Sequence, residues 1–268
     1  DEFGIELTGF NYDFGKAIDR SRKVVKKLTK GVEFLLKKNN VDCYQDSAVL
    51  EDARTVNLVN TNEKLVGENI ILATGARPRN IPGLDIDRKT IITSREALEF
   101  KDISDRIVII GGGAVGVEFG YVYSQYGAQV TIVELEPRIV PTEDEEISDY
   151  LQKSLEKYGI KFKTNTRFES IQVENGEAVV SILENGESSV IKADRVLVAV
   201  GMTGNIEELG LEGIGVDIDK GYINIDSNMQ TSIPGIYAIG DVTGKMLLAH
   251  VASAQGVFVV ESIAGLTP

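Results

Sequence analysis

The sequence predicts a three-layer α/β fold, built on a parallel β-sheet that is followed by a small antiparallel β-meander. Apolar strand-like runs alternate with amphipathic helical runs over residues 106–165, which is the pattern of β-α-β units. Two Asn-Gly pairs then separate three alternating runs, and Asn-Gly supplies the positive φ that a tight hairpin requires. This alternation of strands and helices does not continue before about residue 101 or after about residue 226. We therefore predict an α/β domain at 101–226, inserted between two pieces of a second domain at 1–100 and 227–268.

The first flanking piece is predicted to contain one long helix over residues 14–38. Nine Lys and Arg residues stand against two acidic ones between Lys16 and Lys38. An interaction patch is one interpretation, but apolar residues recur at helical spacing, which favours a solvated helix face. These apolar residues are Ile18, Val25, Leu28, Val32 and Leu35.

The rest of this piece is predicted to contain short strands. We expect them at residues 41–50 and 54–59, with a third in KLVGENIILATG. ATGARPRNIPG is expected to be a loop because of its glycines and prolines. SREALEF is predicted as a short helix with Ser94 as its N-cap.

The inserted domain is predicted to alternate strands and helices. RIVII, QVTIVE and GIKFKTN read as parallel strands, and the helical runs between them end at Gly127 and Gly159. The meander follows in FESIQVENGEAVVSILENGESSVI, and DRVLVAVG is predicted as a further strand. In the last piece, SIPGIYAIGDV is expected to be a strand and ASAQGVFVVESIAG a helix.

Charge and cysteine content limit the classes of function. The net charge of −13 disfavours nucleic acid and anionic membranes as partners, and no apolar run is long enough to span a bilayer. The single cysteine, Cys43, excludes a disulfide framework, a cysteine metal site and a redox dithiol within this chain. We expect Cys43 to be a buried structural thiol in a strand-like stretch, no metal site, and a reducing, cytoplasmic location.

A glycine-rich motif follows the strand RIVII. Its G-x-G-x-x-G spacing is a weak signal alone, but the predicted strand before it and helix after it make it a stronger indication of a dinucleotide site. The first glycine permits a tight turn, the second lets a pyrophosphate approach the backbone, and the third allows close helix–sheet packing. The helix N-terminus would offer N–H groups to the phosphates. The motif consists of Gly111, Gly113, Ala114, Val115 and Gly116, which we predict to bind a dinucleotide in a Rossmann-like domain.

An acidic residue stands where such a motif requires one. Glu134 ends QVTIVE, eighteen residues after Gly116. A carboxylate there accepts hydrogen bonds from the ribose 2′-OH and repels a 2′-phosphate. Only one cation, Arg138, follows closely, so we expect NAD rather than NADP. The alternative is that the glycines form an ordinary strand–helix turn and that Glu134 is a surface charge.

Three further segments carry a resemblance to a known family. ATGARPRNIPG, TSIPGIYAIGDVTG and LLAHVASAQG resemble motifs of the two-dinucleotide flavoprotein disulfide reductases, and the resemblance covers nearly all of the chain. The resemblance implies that Thr74 and Gly75 are FAD neighbours and that Asp241 binds the flavin ribityl chain. It also implies that a helix begins near the flavin ring, at Leu247, Leu248, Ala249 and His250.

Within this family, the segments KVVKKLTKGVEFLLKKNNV and IVPTEDEEISDYLQKSLEKYGIKF are most similar to the dihydrolipoamide dehydrogenases. That similarity places Glu118 near the nicotinamide and flavin, and Phe168 and Gly201 against NAD. Two departures stand out. The sequence Gly-Met-Thr-Gly-Asn from Gly201 replaces the family's Gly-Arg-x-Pro-Asn, which removes a cation. Asp46 stands where the family places a glycine, and its charge would not favour an anionic cofactor.

The resemblance implies an internal fragment of such an enzyme. It would lack the family's first FAD-binding segment with its cysteine pair and the C-terminal dimerisation domain, so no catalytic residue is assigned, and His250 is expected to be a packing or cofactor-edge residue. We expect NAD/NADH as ligand, weak or absent FAD binding and no lipoamide turnover by this chain. The intact relative would be a homodimer, with a 2-oxoacid dehydrogenase complex as candidate partner.

Two other functions stay open. The chain could derive from another flavin-dependent NADH oxidoreductase, of the NADH oxidase or mercuric reductase type. It could instead be a non-catalytic dinucleotide-binding module, since a fold does not determine a function.

Overall fold

The computed structural model describes residue 9 and residues 11–267. Its helices are α1 (Phe14–Lys38), α2 (Ser94–Ala97), α3 (Ala114–Gln125), α4 (Glu145–Glu156), α5 (Leu211–Ile214) and α6 (Ala249–Ile263), with a 3₁₀ turn at Gly240–Thr243. Its strands are β1 (Ala48–Leu50), β2 (Thr55–Leu58), β3 (Lys64–Val66), β4 (Ile70–Leu72), β5 (Ala76–Pro78), β6 (Ile91–Ile92), β7 (Arg106–Ile110), β8 (Gln129–Val133), β9 (Lys161–Lys163), β10 (Thr166–Glu174), β11 (Glu177–Glu184), β12 (Glu187–Ala193), β13 (Arg195–Val198), β14 (Met202–Gly204), β15 (Ile218–Asp219), β16 (Tyr222–Ile223) and β17 (Ile236–Ala238).

The chain divides into two compact units. The first comprises Asp1–Asn40 and Pro78–Gly201, and the second comprises Val41–Arg77 and Met202–Pro268. These limits differ from the predicted domain limits at 100 and 226. Residues 78–100 join the first unit because β6 pairs with β13 of its sheet. The family resemblance assigns 101–226 to NAD and the pieces 1–100 and 227–268 to a partial FAD-binding domain, and this assignment stays a prediction.

The first unit is a three-layer α/β structure. Its five-stranded sheet has the order β6-β13-β7-β8-β9, and all neighbouring strands are parallel. The β7 strand RIVII is buried on both faces, which explains its unbroken apolar sequence. One face packs with residues of α3 and α4 around Ile109 and Ile132, and the other packs against the β10-β11-β12 meander around Val108 and Val180. The predicted fold class is confirmed.

The meander is held by the two predicted turns. Asn175 and Gly176 have φ values of 52° and 82°, and Asn185 and Gly186 have 54° and 83°. Two successive positive φ values match the twist of a two-residue hairpin. Both Asn-Gly predictions are therefore confirmed.

Helix α1 has the predicted bounds, with the Asp13 side chain accepting a hydrogen bond from Lys16 N at 3.0 Å as its N-cap. Phe14 is buried in the core of the first unit, whereas most of the apolar stripe is exposed. The exposed members are Val25, Leu28, Val32 and Leu35. Within the described residues, no helix is long and apolar enough to cross a membrane.

The second unit combines small sheets around its own core. β1, β2 and β3 form an antiparallel sheet, β4 and β17 pair in parallel, and β5 with β14 and β15 with β16 form two-stranded ladders. Leu72, Ile223 and Ile236 lie in the centre of that core. This packing joins the segment before residue 77 with the segment after residue 202.

Several local predictions for the first flanking piece were wrong. KLVGENIILATG forms two strands rather than one, because Lys64–Val66 pairs with β2 whereas Ile70–Leu72 pairs with β17. The expected loop ATGARPRNIPG contains β5. Residues 41–47 form no strand, so Cys43 is exposed instead of buried. The N-cap of α2 is Thr93, not Ser94, because Thr93 forms a capping box with Glu96.

Candidate dinucleotide-binding site

The glycine-rich turn between β7 and α3 cannot accept larger side chains at two positions. Gly111 has a φ of +108°, and a Cβ there would lie 2.3 Å from Ala199 O. A Cβ on Gly116 would lie 2.0 Å from Gly111 O. Both clashes are with backbone, so the first and last glycines serve the close packing of the turn, helix and sheet.

The middle glycine of the motif has a different environment. A Cβ on Gly113 would meet no protein atom within 4 Å. Gly113 is also the N-cap of α3, with no side-chain cap on the helix. The first N–H groups of α3 therefore have no intrahelical partner and border open space, which suits an anionic group.

A strained residue supports this turn. Val140 is buried and has a φ of +39°, a conformation that a β-branched residue rarely adopts. Its N–H donates to Gly112 O at 2.8 Å. The hydrogen bond fixes the Gly112 carbonyl, so the strain at Val140 supports the orientation of the turn. No sequence pattern indicated this contact.

Glu134 lies directly after β8 and is 8% exposed. One carboxylate oxygen, Oε2, accepts the N–H of Gly112 at 2.5 Å, and the other, Oε1, accepts the N–H of Glu136 at 2.8 Å. The carboxylate is therefore held rigidly beside the glycine-rich turn. Each oxygen keeps a lone pair for another donor, such as a ribose hydroxyl. This geometry argues against the alternative that Glu134 is a surface charge.

These residues share one pocket of about 400 Å³ within the first unit. It brings together five predicted site residues, namely Gly111, Gly113, Glu134, Phe168 and Gly201. The structure does not place Gly116, Ala114, Val115 or Glu118 in the pocket lining, and Glu118 is exposed on α3.

The pocket also contains residues that sequence reasoning missed. Apolar walls come from Ile81, Leu135 and Pro141, and a cation comes from Arg167. Arg138, the cation noted in the sequence, is not part of the lining and lies 3.9 Å from the carboxylate of Glu145. The meander brings Arg167 to the pocket, and only the three-dimensional pairing shows it.

The predicted FAD neighbours lie in the second unit. Thr74 Oγ1 donates to Asn205 O at 2.8 Å, and Asn205 Nδ2 donates to Thr74 O at 2.8 Å. The N–H of Asn205 donates to Gly75 O at 2.9 Å. Asn205 thus fixes the ATG loop. Asn205 and Gly201 are the two residues that the family pattern Gly-Arg-x-Pro-Asn and this sequence share.

An ion pair stabilises the same loop. Arg77 forms hydrogen bonds to both carboxylate oxygens of Glu207, at 2.8 Å and 2.5 Å. The hydrogen bond from Arg77 lowers the pKa of Glu207 to about 2. Arg77 also donates to Gly204 O at 3.0 Å. Arg77 therefore attaches the ATG loop to residues 204–207 of the same unit.

The remaining FAD-side predictions fall around α6. Asp241 is half-buried in the 3₁₀ turn, and Gln255 of α6 accepts the N–H of the preceding Gly240 at 2.7 Å. Leu248 is the N-cap of α6 without a side-chain cap. The four residues predicted to face the flavin, Leu247, Leu248, Ala249 and His250, are all exposed.

Asp46 has a structural environment of its own. Its carboxylate accepts the N–H groups of Ser47, Asn60 and Thr61 and both of the latter side chains, at 2.6 to 3.0 Å. These hydrogen bonds, led by that of the Asn60 N–H, lower the pKa of Asp46 to about 2. The carboxylate thus joins the segment before β1 to the turn that follows β2.

The parallel sheet, the glycine-rich turn and the acidic residue beside it define the first unit as a Rossmann-like dinucleotide-binding fold. The comparison with protein families agrees. The model of the family described as pyridine nucleotide-disulphide oxidoreductase matches residues 5–256. The chain therefore belongs to the pyridine nucleotide-disulphide oxidoreductase family.

Individual relatives are similar to this chain over nearly all of its length, but are themselves longer. A dihydrolipoyl dehydrogenase of Chlorobaculum parvum is 45% identical over 271 residues, covering 100% of this chain and 58% of the relative. One from Bacillus subtilis is 37% identical over 281 residues, covering 100% of this chain and 59% of the relative. The HOCl-induced flavoprotein disulfide reductase RclA from Escherichia coli has a TM-score of 0.84 at 26% identity, covering 95% of this chain and 58% of that one. The chain thus spans less than two thirds of the proteins it matches.

Proposed function

We propose that the first unit binds NAD in the pocket between Gly111 and Glu134. The observation that supports this proposal is the difference in free space around two glycines of the motif, Gly113 and Gly116. Gly116 has no room for a side chain, whereas Gly113 faces space that a pyrophosphate can fill. Glu134 would bind the hydroxyls of the adenosine ribose and repel a 2′-phosphate, which favours NAD over NADP.

When bound, NAD would accept a hydride and NADH would donate one, whereas the protein binds and orients the cofactor. The N–H groups at the start of α3 would hold the phosphates, and the rigid carboxylate of Glu134 would fix the ribose. Phe168 and Gly201, which line the same pocket, are proposed NAD contacts, and Ala114, Val115 and Gly116 complete the turn. Glu118 is proposed to lie toward the nicotinamide end, outside the pocket lining.

Calorimetric titration with NAD and NADP tests this proposal, using the variant Gly113→Ala. The added methyl group meets no protein atom within 4 Å, so this variant should fold normally while filling the proposed phosphate space. We expect NAD binding by the wild-type chain, much weaker NADP binding, and at least about tenfold weaker NAD binding by the variant. Equal NAD affinity of a folded variant would contradict the proposed site.

We further propose that this chain is the NAD-binding portion of a dihydrolipoyl dehydrogenase. The support is its 45% identity to such an enzyme and the arrangement of the second unit. There, Thr74, Gly75 and Asp241 would contribute to an FAD site together with the residues from Leu247 to His250. In the whole protein, FAD and a redox disulfide would link dihydrolipoamide and NAD, in a homodimer that binds a 2-oxoacid dehydrogenase complex.

The 268-residue chain by itself is proposed to be inactive and to bind FAD weakly or not at all. It has one cysteine and one G-x-G-x-x-G motif, which serves NAD in this account. Incubation with dihydrolipoamide and NAD, with and without added FAD, tests both statements. We expect no NADH above background and little flavin retained after gel filtration. NADH formation would contradict inactivity, and stoichiometric flavin retention would contradict weak FAD binding.

The structural similarity to RclA favours a second candidate parent, another flavoprotein disulfide reductase. The higher identity to dihydrolipoyl dehydrogenases makes that second candidate the weaker one. Sequencing the complete reading frame distinguishes the two, because the flanking segments carry the substrate-specific chemistry.

A further inference from the structure

The dinucleotide pocket contains one basic side chain, that of Arg167. Glu134 and Glu136 are the acidic residues of the lining, and Arg167 is its only Lys or Arg. Arg167 is exposed, and within the described part of the chain its guanidinium makes no ion pair and no hydrogen bond. By contrast, Arg106 and Arg195 of the same unit are both paired with carboxylates. A free cation in a binding pocket is available to a ligand.

Backbone hydrogen bonds fix where in the pocket Arg167 lies. The N–H groups of Asn165 and Thr166 donate to the carbonyls of Glu136 and Glu134, at 3.0 Å and 2.9 Å. The first residues of β10 are therefore attached to the turn that carries the proposed ribose carboxylate. The proposed phosphate position lies at Gly113, after the neighbouring strand β7. Arg167 accordingly belongs to the adenosine half of the pocket rather than to the pyrophosphate.

We propose that Arg167 packs its planar guanidinium against the adenine ring of bound NAD. This inference rests on the proposed NAD-binding function. A guanidinium stacks on aromatic faces, and the neighbouring wall formed by Leu135 and Pro141 is apolar, as the opposite face of an adenine requires. Leu135 is 62% exposed, so a bound base would also cover an apolar surface that water now contacts.

The alternative partner for Arg167 is a phosphate group. Stacking on adenine and pairing with a phosphate predict different NAD affinities for the variant Arg167→Lys. Lysine keeps the positive charge but lacks the planar guanidinium group. Arg167→Lys should therefore lose a stacking contact and retain an ion pair. The alanine variant removes both. Arg20→Ala is the matched control, because Arg20 is an exposed arginine on α1 outside the pocket lining.

The experiment is calorimetric titration of these variants with NAD, with adenosine measured in competition. We expect about two- to fivefold weaker binding of both ligands by Arg167→Ala, the range for an exposed cation–π contact. Arg167→Lys should show a similar loss, and Arg20→Ala none. A wild-type affinity of Arg167→Ala for NAD, or a rescue by lysine with unchanged adenosine binding, would overturn the inference alone. Absence of NAD binding by the wild-type chain would overturn the proposed function as well.

Discussion

The substitution Glu134→Gln tests how the rigid carboxylate contributes to binding and to folding. The carboxylate accepts one N–H on each oxygen, from Gly112 and from Glu136. A glutamine amide has one oxygen and one NH₂ group of nearly the same shape. Whichever way the amide is oriented, its NH₂ faces a backbone N–H, and two donors then meet at a site that is almost fully buried.

The expected cost follows from these contacts. One buried N–H loses its acceptor, which lowers the free energy of unfolding by about 1–3 kcal/mol. A ribose hydroxyl would also exchange a charged acceptor for a neutral one, a loss of about 1–1.5 kcal/mol, or about five- to tenfold in NAD affinity. NADP should lose less affinity, or gain some, because the charge that repels its 2′-phosphate has been removed.

Urea denaturation measures the first effect, and calorimetric titration with NAD and NADP measures the second. Glu136→Gln is the control for urea denaturation, since it makes the same chemical change on an exposed side chain and leaves the Glu136 N–H in place. We expect stability within about 0.5 kcal/mol of wild type for the control. If Glu134→Gln also kept wild-type stability and NAD affinity, the assigned role of Glu134 would be refuted.

Three further substitutions or conditions test the structure elsewhere. Gly116→Ala places a Cβ 2.0 Å from Gly111 O, so urea denaturation should show a loss of about 3 kcal/mol or more, and a stable variant would contradict the backbone packing. The pKa values of Asp46 and Glu207 are lowered to about 2 by hydrogen bonds in the fold, so their stabilisation is complete above about pH 5 and is lost as the pH falls toward 2. Urea midpoints that stay constant from about pH 5 to pH 3 would contradict this. Thr93→Ala removes the capping box of α2 and should cost about 1 kcal/mol, whereas Ser94→Ala should cost less; equal effects would contradict the Thr93 cap.

Regular elements with strong local signals could be predicted from the sequence. Helix α1 has its predicted bounds because Asp13 caps it and apolar residues repeat along it. The two Asn-Gly hairpins form where the positive φ values require them. The buried strand β7 and the glycine-rich turn also follow from local sequence, because an unbroken apolar run is followed directly by the G-x-G-x-x-G spacing.

Features that depend on distant contacts could not be predicted. The Thr93 cap of α2 is different, because the local pattern of Thr93 followed three residues later by Glu96 already indicates a capping box. The segment KLVGENIIL divides into two strands because Lys64–Val66 pairs with β2 whereas Ile70–Leu72 pairs with β17, which lies far away in the sequence. The positions of Arg167 and Asn205 depend on pairing between segments far apart in the chain, for which a single sequence carries no signal.

A crystal structure of this chain with NAD tests the central claim most directly. The account predicts NAD in the pocket of the first unit, with its pyrophosphate against Gly113 and the start of α3. The hydroxyls of its adenosine ribose should lie within hydrogen-bond distance of the Glu134 carboxylate. NAD bound elsewhere, or a ribose turned away from Glu134, would contradict the account.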